Sequence, residues 1–317
     1  MTSDRPPLRP PLVIIAGPTA VGKTSLSIRL AKKFGAEIIN ADSRQIYKKL
    51  DIGTAKPTKE EQAEVPHHLV DLINPDEHFN AARFAELARS KIVEINQRGK
   101  RVFVVGGTGL YIKALVHGLF PAPLSDKTIK EQLVKEAEIY GLSFLYEKLK
   151  KVDPISAQKI HPNDKQRIVR ALEVYYLTGE PISKLQEQHR FETRQYETLK
   201  IALYRPREEL YDRINRRVLQ MIDQGLLEEV KSLLLEGYSP ELNSMTSIGY
   251  QHIARYLKGE ISLERAIELL QRDTRRYAKR QITWFKGDKE YIWLRPDEYD
   301  EIERQIDAFY KRRSIQE

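Results

Sequence analysis

The sequence contains no cysteine, which excludes a disulfide framework and any cysteine-based zinc site and fits a reducing cytoplasm. No run approaches the ~18 consecutive apolar residues of a membrane span, so no membrane partner is expected. There is no internal repeat, heptad array or low-complexity tract. Pro6, Pro7, Pro10 and Pro11 crowd the first residues with no apolar signal-peptide core among them, so 1–11 reads as a flexible lead-in. Neither sign of charge is scarce: 53 Lys and Arg against 45 Asp and Glu leave +8, which fits either an anionic partner such as nucleic acid or ordinary solubility charge. With 317 residues, 41% of them hydrophobic, the chain can build a sizeable core in one large or two ordinary domains.

What is present centres on Gly17-Pro18-Thr19-Ala20-Val21-Gly22-Lys23-Thr24. The β-branched run Leu12–Ala16 before it reads as a buried parallel strand. Ser25–Phe34 after it carries Leu26, Leu30, Ala31 and Phe34 at helical spacing. Strand, G-x-x-x-x-G-K-T and helix are the context of a phosphate-binding P-loop. Its backbone N–H groups converge on an anion, Lys23 adds a point charge, Thr24 is placed to hold magnesium, and the helix N-terminus adds partial positive charge.

Ala36–Asn40 reads as a second strand running into Asp42-Ser43-Arg44-Gln45. Ligands bind at the carboxyl edge of open α/β sheets, so Asp42 is expected near the P-loop. It is either a general base or metal-associated acid, or the cap of a short turn. Lys56–Val65 reads as a surface loop or short helix, and Leu69–Leu72 as a strand. His67 and His68, adjacent and alternating in direction, are read as structural. Asn80–Arg98 is a helix, and Arg101–Val105 is a strand that ends in Gly106-Gly107-Thr108. Many P-loop NTPases have an Asp there that holds magnesium through water. Its absence leaves Asp71 and Asp42 as candidates and weakens the reading as a standard NTPase. The paired glycines permit close approach of a ligand to the backbone.

The repeat of strand and crossover helix predicts a doubly wound parallel α/β sheet. After the proline-rich 119–123 the texture becomes helical and charged. The core is therefore expected at 12–120 and 199–312, with an all-helical insertion at 121–198. Asp164–Thr178 is its strongest helix, with Arg167 and Arg170 on one face. Leu199–Tyr204 returns to strand character. The C-terminal part is helical: Arg213, Arg216 and Arg217 lie on one helix, and Arg272, Arg275, Arg276, Lys279 and Arg280 interleave with Tyr277, Trp284 and Phe285 on another. Basic side chains with aromatics suit RNA with unstacked bases, or a solvated helix with its aromatics in the core.

Two activities remain open from the residues alone. One is a small-molecule or nucleotide kinase with the insertion as lid and Asp42 as base. The other is a transferase whose P-loop holds a diphosphate leaving group while an RNA supplies the nucleophile. The missing strand-end Asp and the basic C-terminal helices favour the second.

The sequence resembles the tRNA dimethylallyltransferases (tRNA isopentenyltransferases). The resemblance rests on ordered blocks at 17–24, 40–47, 51–57, 66–69, 105–111, 164–173 and 276–285, with Lys165 where members usually carry proline. It implies a bacterial-type member, since the chain stops at Glu317 without the zinc-finger extension of eukaryotic members. It also implies transfer of the dimethylallyl group of dimethylallyl diphosphate to N6 of the adenine 3′ to the anticodon (position 37), in tRNAs reading codons that begin with U. The catalytic residues it implies are Asp42, Thr19, Lys23 and Arg217. Gly17 to Thr24 would hold the diphosphate, with Mg2+ near Thr24. Asp42, Ser43, Arg44, Gln45 and Thr108 would hold the adenine and its neighbours. Lys130, Gln166, Arg167, Ile168, Val169 and Arg170 would grip the tRNA anticodon stem-loop, helped by Arg276 and Arg280. A cytoplasmic monomer is expected, and ATP binding at the same loop is left open.

Overall fold

The computed structural model describes residues 9–119, 123, 125–189 and 195–314. Most of the 1–11 lead-in and the 120–122 linker lie outside the described residues. The chain divides into two compact units, one made of the residues up to Val116 and from Gln195 on, the other of His117–Arg194.

The first unit is built on six strands, β1 (Pro11–Ala16), β2 (Ala36–Asn40), β3 (His67–His68), β4 (Arg101–Gly106), β5 (Glu197–Leu203) and β6 (Ile292–Leu294). All are parallel, in the order β3-β2-β4-β1-β5-β6. β1 is central: Ala16 pairs with Gly106 on one side and Ala202 on the other. Its unbroken apolar run is covered on both faces, as parallel sheets require. The expected strand at Leu69–Leu72 does not form. Leu69 and Asp71 hold positive φ of 64° and 54°, which breaks extended pairing, and the strand is confined to the two histidines. Their structural reading fits what they touch: His68 Nε2 lies 2.6 Å from Glu37 Oε2, and His67 Nδ1 lies 2.7 Å from the Val65 carbonyl.

In chain order the helices are α1 (Lys23–Phe34), α2 (Lys59–Glu64), α3 (Ala81–Gln97) and α4 (Gly109–His117). The second unit holds α5 (Lys127–Tyr140), α6 (Leu142–Val152), α7 (Pro154–Lys159), α8 (Lys165–Thr178) and α9 (Ile182–His189). The first unit resumes with α10 (Arg207–Asp223), α11 (Leu226–Leu235), α12 (Tyr250–Leu257), α13 (Leu263–Lys286) and α14 (Tyr299–Ser314). One core joins the sheet to α1, α10 and α14 through Val13, Ile15, Phe103, Ile201, Ile214 and Ile306. A second joins Tyr47, Val218, Val230, Ile253 and Leu270.

The loop at 51–53 is tied to this second core by one carboxylate. Glu229 accepts hydrogen bonds from the N–H groups of Asp51 (3.1 Å), Ile52 (2.8 Å) and Gly53 (3.2 Å), and from the Tyr250 hydroxyl. Gly53 is required there, because a Cβ would lie 2.5 Å from the Tyr250 ring.

The helical unit packs Leu133, Leu145, Leu149, Ile168 and Leu172. Its N-caps are legible in the sequence. Asp126, Asp153 and Asp164 each accept a backbone N–H from the first turn of the helix that follows. Asp153 also accepts from Ser183, in both its N–H and its hydroxyl, which fastens α9 to α7.

Candidate active site

β1 delivers the chain into Gly17 at φ 147°, where a Cβ would stand 2.8 Å from the Leu203 carbonyl oxygen, so only glycine fits. Gly22 at φ 108° then turns the chain into α1, whose N-terminus has no side-chain cap and no acid in its first turn. Among the described residues, no protein acceptor takes the N–H groups of Ala20, Val21 or Gly22. The carbonyls of the same loop, in contrast, are held by cations. Lys23 Nζ donates to Gly17 (3.0 Å) and Pro18 (2.8 Å), Arg213 Nε to Ala20 (2.8 Å) and Arg205 Nε to Val21 (2.9 Å). With its carbonyls pinned outward, the loop presents N–H groups to an anion.

Arg217 completes this side, with Nη1 3.3 Å from the Thr19 hydroxyl that accepts from it. Lys23 is half-buried, and desolvation of its ammonium pulls it down to about 8; Asp42 opposes that shift and Arg217 adds to it. Burial also lowers Arg217, again opposed by Asp42. These charges therefore sense one another across a single space. It is a cleft of about 810 Å³ lined by the P-loop, Asp42, Ser43, Arg44, Arg217, Thr246–Ile248, Tyr277, Arg280 and Gln281.

On the acceptor side Asp42 follows β2. Its Oδ1 accepts the N–H groups of Arg44 (2.8 Å) and Gln45 (3.4 Å), so it caps a turn. The cap reading of Asp42 holds, and the capped residue lines the cleft. Ser43 N–H donates to the Thr108 hydroxyl at 3.0 Å. Asp71, the other candidate acid, pairs with the buried Lys56 at 2.5 Å and is spent on that loop. The glycines after β4 admit protein and not ligand. A Cβ at Gly106 would lie 2.1 Å from the Ala41 carbonyl oxygen, and one at Gly107 would lie 2.2 Å from Gln281 Nε2.

Gln45 donates to the carbonyls of Thr54 and Ala55, both at 3.0 Å, and so braces a loop. Arg44 Nη1 donates to the Asn243 carbonyl at 2.6 Å. Arg276 and Arg280 are exposed on α13.

In the helical unit Lys130, Gln166 and Arg167 are exposed. Ile168 and Val169 are not. They sit in that unit's core at 0% and 5% exposure, because the α8 apolar stripe passes through them, so their side chains are not available to RNA. Arg170 is largely occupied: it pairs with Glu173 at 2.7 Å and donates to the Pro123 carbonyl at 2.8 Å. Glu173 is itself buried and also accepts from Ser125 and from the Asp126 N–H.

Gln281 carried no role in the sequence reading, nor did Arg205 or the stretch Thr246–Ile248. The one signal for Gln281 is an amide on the apolar stripe of α13, with Ala278 and Phe285 buried about a turn away.

Among the described residues no group of three or more His, Cys, Asp or Glu is set to hold a metal, and no helix is long and apolar enough to cross a membrane. The oxygens at the cleft, from Thr19, Thr24 and Asp42, are hard donors. They fit a magnesium ion that keeps most of its waters and binds chiefly through substrate phosphates.

Residues 45–288 match the family model described as IPP transferase. The chain is 52% identical over 284 residues to the tRNA dimethylallyltransferase of Syntrophobacter fumaroxidans, covering 90% of this chain and 83% of that protein. It is 51% identical over 292 residues to that of Geobacter sulfurreducens, covering 92% and 94%. Among solved structures it resembles the full-length tRNA isopentenylpyrophosphate transferase of Bacillus halodurans, with a TM-score of 0.72 and 42% identity over 96% of this chain and 98% of that one. It also resembles a eukaryotic dimethylallyltransferase acting on tRNA, with a TM-score of 0.75 and 34% identity over 90% and 74%.

Proposed function

The chain belongs to the IPP transferase family and is a tRNA dimethylallyltransferase, and from that premise we propose how its cleft performs the transfer. The donor is dimethylallyl diphosphate. The acceptor is N6 of the adenine at position 37, just 3′ of the anticodon, in tRNAs reading codons that begin with U. The N6 lone pair forms the new bond to C1 as the C1–O bond breaks and its electron pair leaves with diphosphate. The N6 proton passes to Asp42, since an exocyclic amine is a poor nucleophile without a base.

The growing charge on the leaving group is met by the free loop N–H groups, Lys23 and Arg217, with Thr19 positioned by its bond to Arg217. Magnesium, held near Thr24, would neutralise diphosphate charge. The adenine reaches the cleft by leaving its stack, at a cost of a few kcal/mol. The exposed Lys130, Gln166 and Arg167 of the helical unit, and Arg276 and Arg280 of α13, are the groups assigned to the anticodon stem-loop. The compartment proposed is the cytoplasm, in keeping with a cysteine-free chain.

The observation that carries this reading is the meeting of Asp42 with Lys23 and Arg217 in one cleft, a base facing an anion cradle. The test mixes the purified protein, magnesium, radiolabelled dimethylallyl diphosphate and an adenine-bearing anticodon stem-loop. Label entering the RNA is the expected result. Failure of transfer, together with passage of an ATP γ-phosphate to a small acceptor, would return a kinase to first place.

A further inference from the structure

Helix α13 meets the site through residues spaced i, i+4 and i+7. Tyr277 lies beside Thr108 and near Asp42; burial first, and then the Asp42 charge, hold its hydroxyl in the neutral form, while the bond to Thr108 opposes them. One turn on, Gln281 makes two bonds in opposite directions. Its Oε1 accepts the Thr19 N–H at 2.8 Å, and its Nε2 donates to the Gly107 carbonyl at 3.0 Å. Trp284 then closes on Gly109, where a Cβ would stand 2.0 Å from the indole nitrogen. Gln281 is 5% exposed.

Those two bonds join the two halves of the cleft. Thr19 belongs to the leaving-group side, and its hydroxyl accepts from Arg217. Gly107 precedes Thr108, whose hydroxyl holds the Ser43 N–H beside Asp42. A glutamine suits this place because one planar amide offers an acceptor and a donor at a fixed separation. No apolar side chain offers either, and a carboxylate would set a second acceptor against the Gly107 carbonyl. The Thr19 N–H, being engaged by Gln281, is also removed from the set that meets diphosphate. Thr19 is thereby left to act through its hydroxyl.

We propose that Gln281 is a positioning residue for the transfer: it fixes the distance between the loop that holds the leaving group and the loop that holds the acceptor. The proposal rests on the transferase reading above. In-line displacement needs C1 placed between N6 and the departing oxygen, and a misplacement of about 1 Å costs on the order of 100-fold in rate. Gln281 acts on that geometry through Thr19 and Gly107, and no charge or proton of its own is needed.

The test compares wild type with Gln281→Met, which keeps the length and removes both bonds. Transfer is measured in a single turnover with both substrates saturating. Stem-loop affinity is measured by titration, inorganic diphosphate affinity by calorimetry, and folding by thermal melting. The expected result for Gln281→Met is a transfer rate constant lower by about 10- to 100-fold. Both affinities should stay within about threefold of wild type, because uniform binding is not what the amide supplies. Thr19→Val is then combined with it. If Gln281 works through Thr19, the double variant is little slower than the slower single variant.

Wild-type rates in Gln281→Met, or losses that multiply in the double variant, would overturn the proposal. So would a loss residing wholly in the two affinities. If Gln281→Met melts below the assay temperature, Gln281→Glu replaces it in the single-turnover measurement with both substrates saturating, since it keeps the acceptor for Thr19 and loses the donor to Gly107; a wild-type rate there would equally overturn the proposal. Absence of transfer by wild type, with diphosphate affinity intact, would count against the transferase reading instead.

Discussion

Lys23 gives a pH dependence with opposite signs in two assays. Its ammonium ordinarily titrates near 10.5, and burial at the cleft lowers it to about 8. In the free enzyme about nine-tenths of the molecules then carry the charge at pH 7, about half at pH 8 and about one-tenth at pH 9. In the function proposed above the charged form is the one that meets diphosphate, and kcat/KM reports groups of the free enzyme. With tRNA saturating, kcat/KM for dimethylallyl diphosphate should therefore fall through pH 8, about tenfold per pH unit above it. Folding runs the other way. The unfolded chain keeps this proton up to 10.5 and the folded one gives it up near 8, so between those values the unfolded state binds more protons. Stability of the empty enzyme should rise with pH across that window, by at most about 3 kcal/mol from this group. The control is Lys23→Arg, whose guanidinium does not titrate in this range. Its plateau is lower, and its limb near pH 8 should vanish. The same limb in Lys23→Arg, or a wild-type limb centred near 10.5, would refute the reasoning.

Asp42→Ala should lower single-turnover transfer by about 100- to 10,000-fold while stem-loop affinity is unchanged; equal loss of affinity would make Asp42 structural only. Arg167→Ala should weaken stem-loop binding and reduce the slope of log K against log salt by about 0.9, read from titrations at several salt concentrations. Arg170→Ala should act mainly on the fold. It leaves the buried Glu173 short of its charge partner, at a cost on the order of 2–3 kcal/mol seen in denaturant unfolding. Gly106→Ala would press a methyl against the Ala41 backbone. It should displace Asp42 with a loss of at least about 1–3 kcal/mol in the same unfolding assay.

The phosphate loop was legible because its chemistry is local. Two glycines, a lysine and a threonine between a strand and a helix carry their meaning within eight residues. The parallel sheet was legible because buried parallel strands read as unbroken apolar runs. Leu69–Leu72 misled for the same reason: the run is largely apolar, but positive φ at Leu69 and Asp71 breaks it, and Leu69 is not a residue that announces a turn. The short helices α4 and α9 went unread. α4 is nine residues long, opens on glycine and follows β4 after two residues, so its helical period is masked by the apolar run it continues. Roles set by distant partners were out of reach. Ile168 and Val169 look like part of a basic motif until the helix is wound and their side chains turn inward. The glycines after β4 invite a ligand until Ala41 and Gln281 are seen to fill the space. Gln281 itself is an ordinary polar residue among basic neighbours, and its value lies wholly in where Thr19 and Gly107 stand.

The groups that finish the phosphate loop come from far along the chain. Arg205, Arg213, Arg217 and Gln281 reach it across separations of 184, 193, 198 and 262 residues. Read as an order of synthesis, the loop is made first and completed last. A growing chain that has released residues 17–24 lacks its three arginines until about two thirds of the protein is made, and lacks Gln281 until α13 follows. The loop's carbonyls are then held by Lys23 alone, and Thr19 is unfixed. The last of the loop's partners therefore arrives with α13, the helix whose exposed face carries Arg276 and Arg280. Incomplete chains thus carry the motif without the partners that complete its hydrogen bonds.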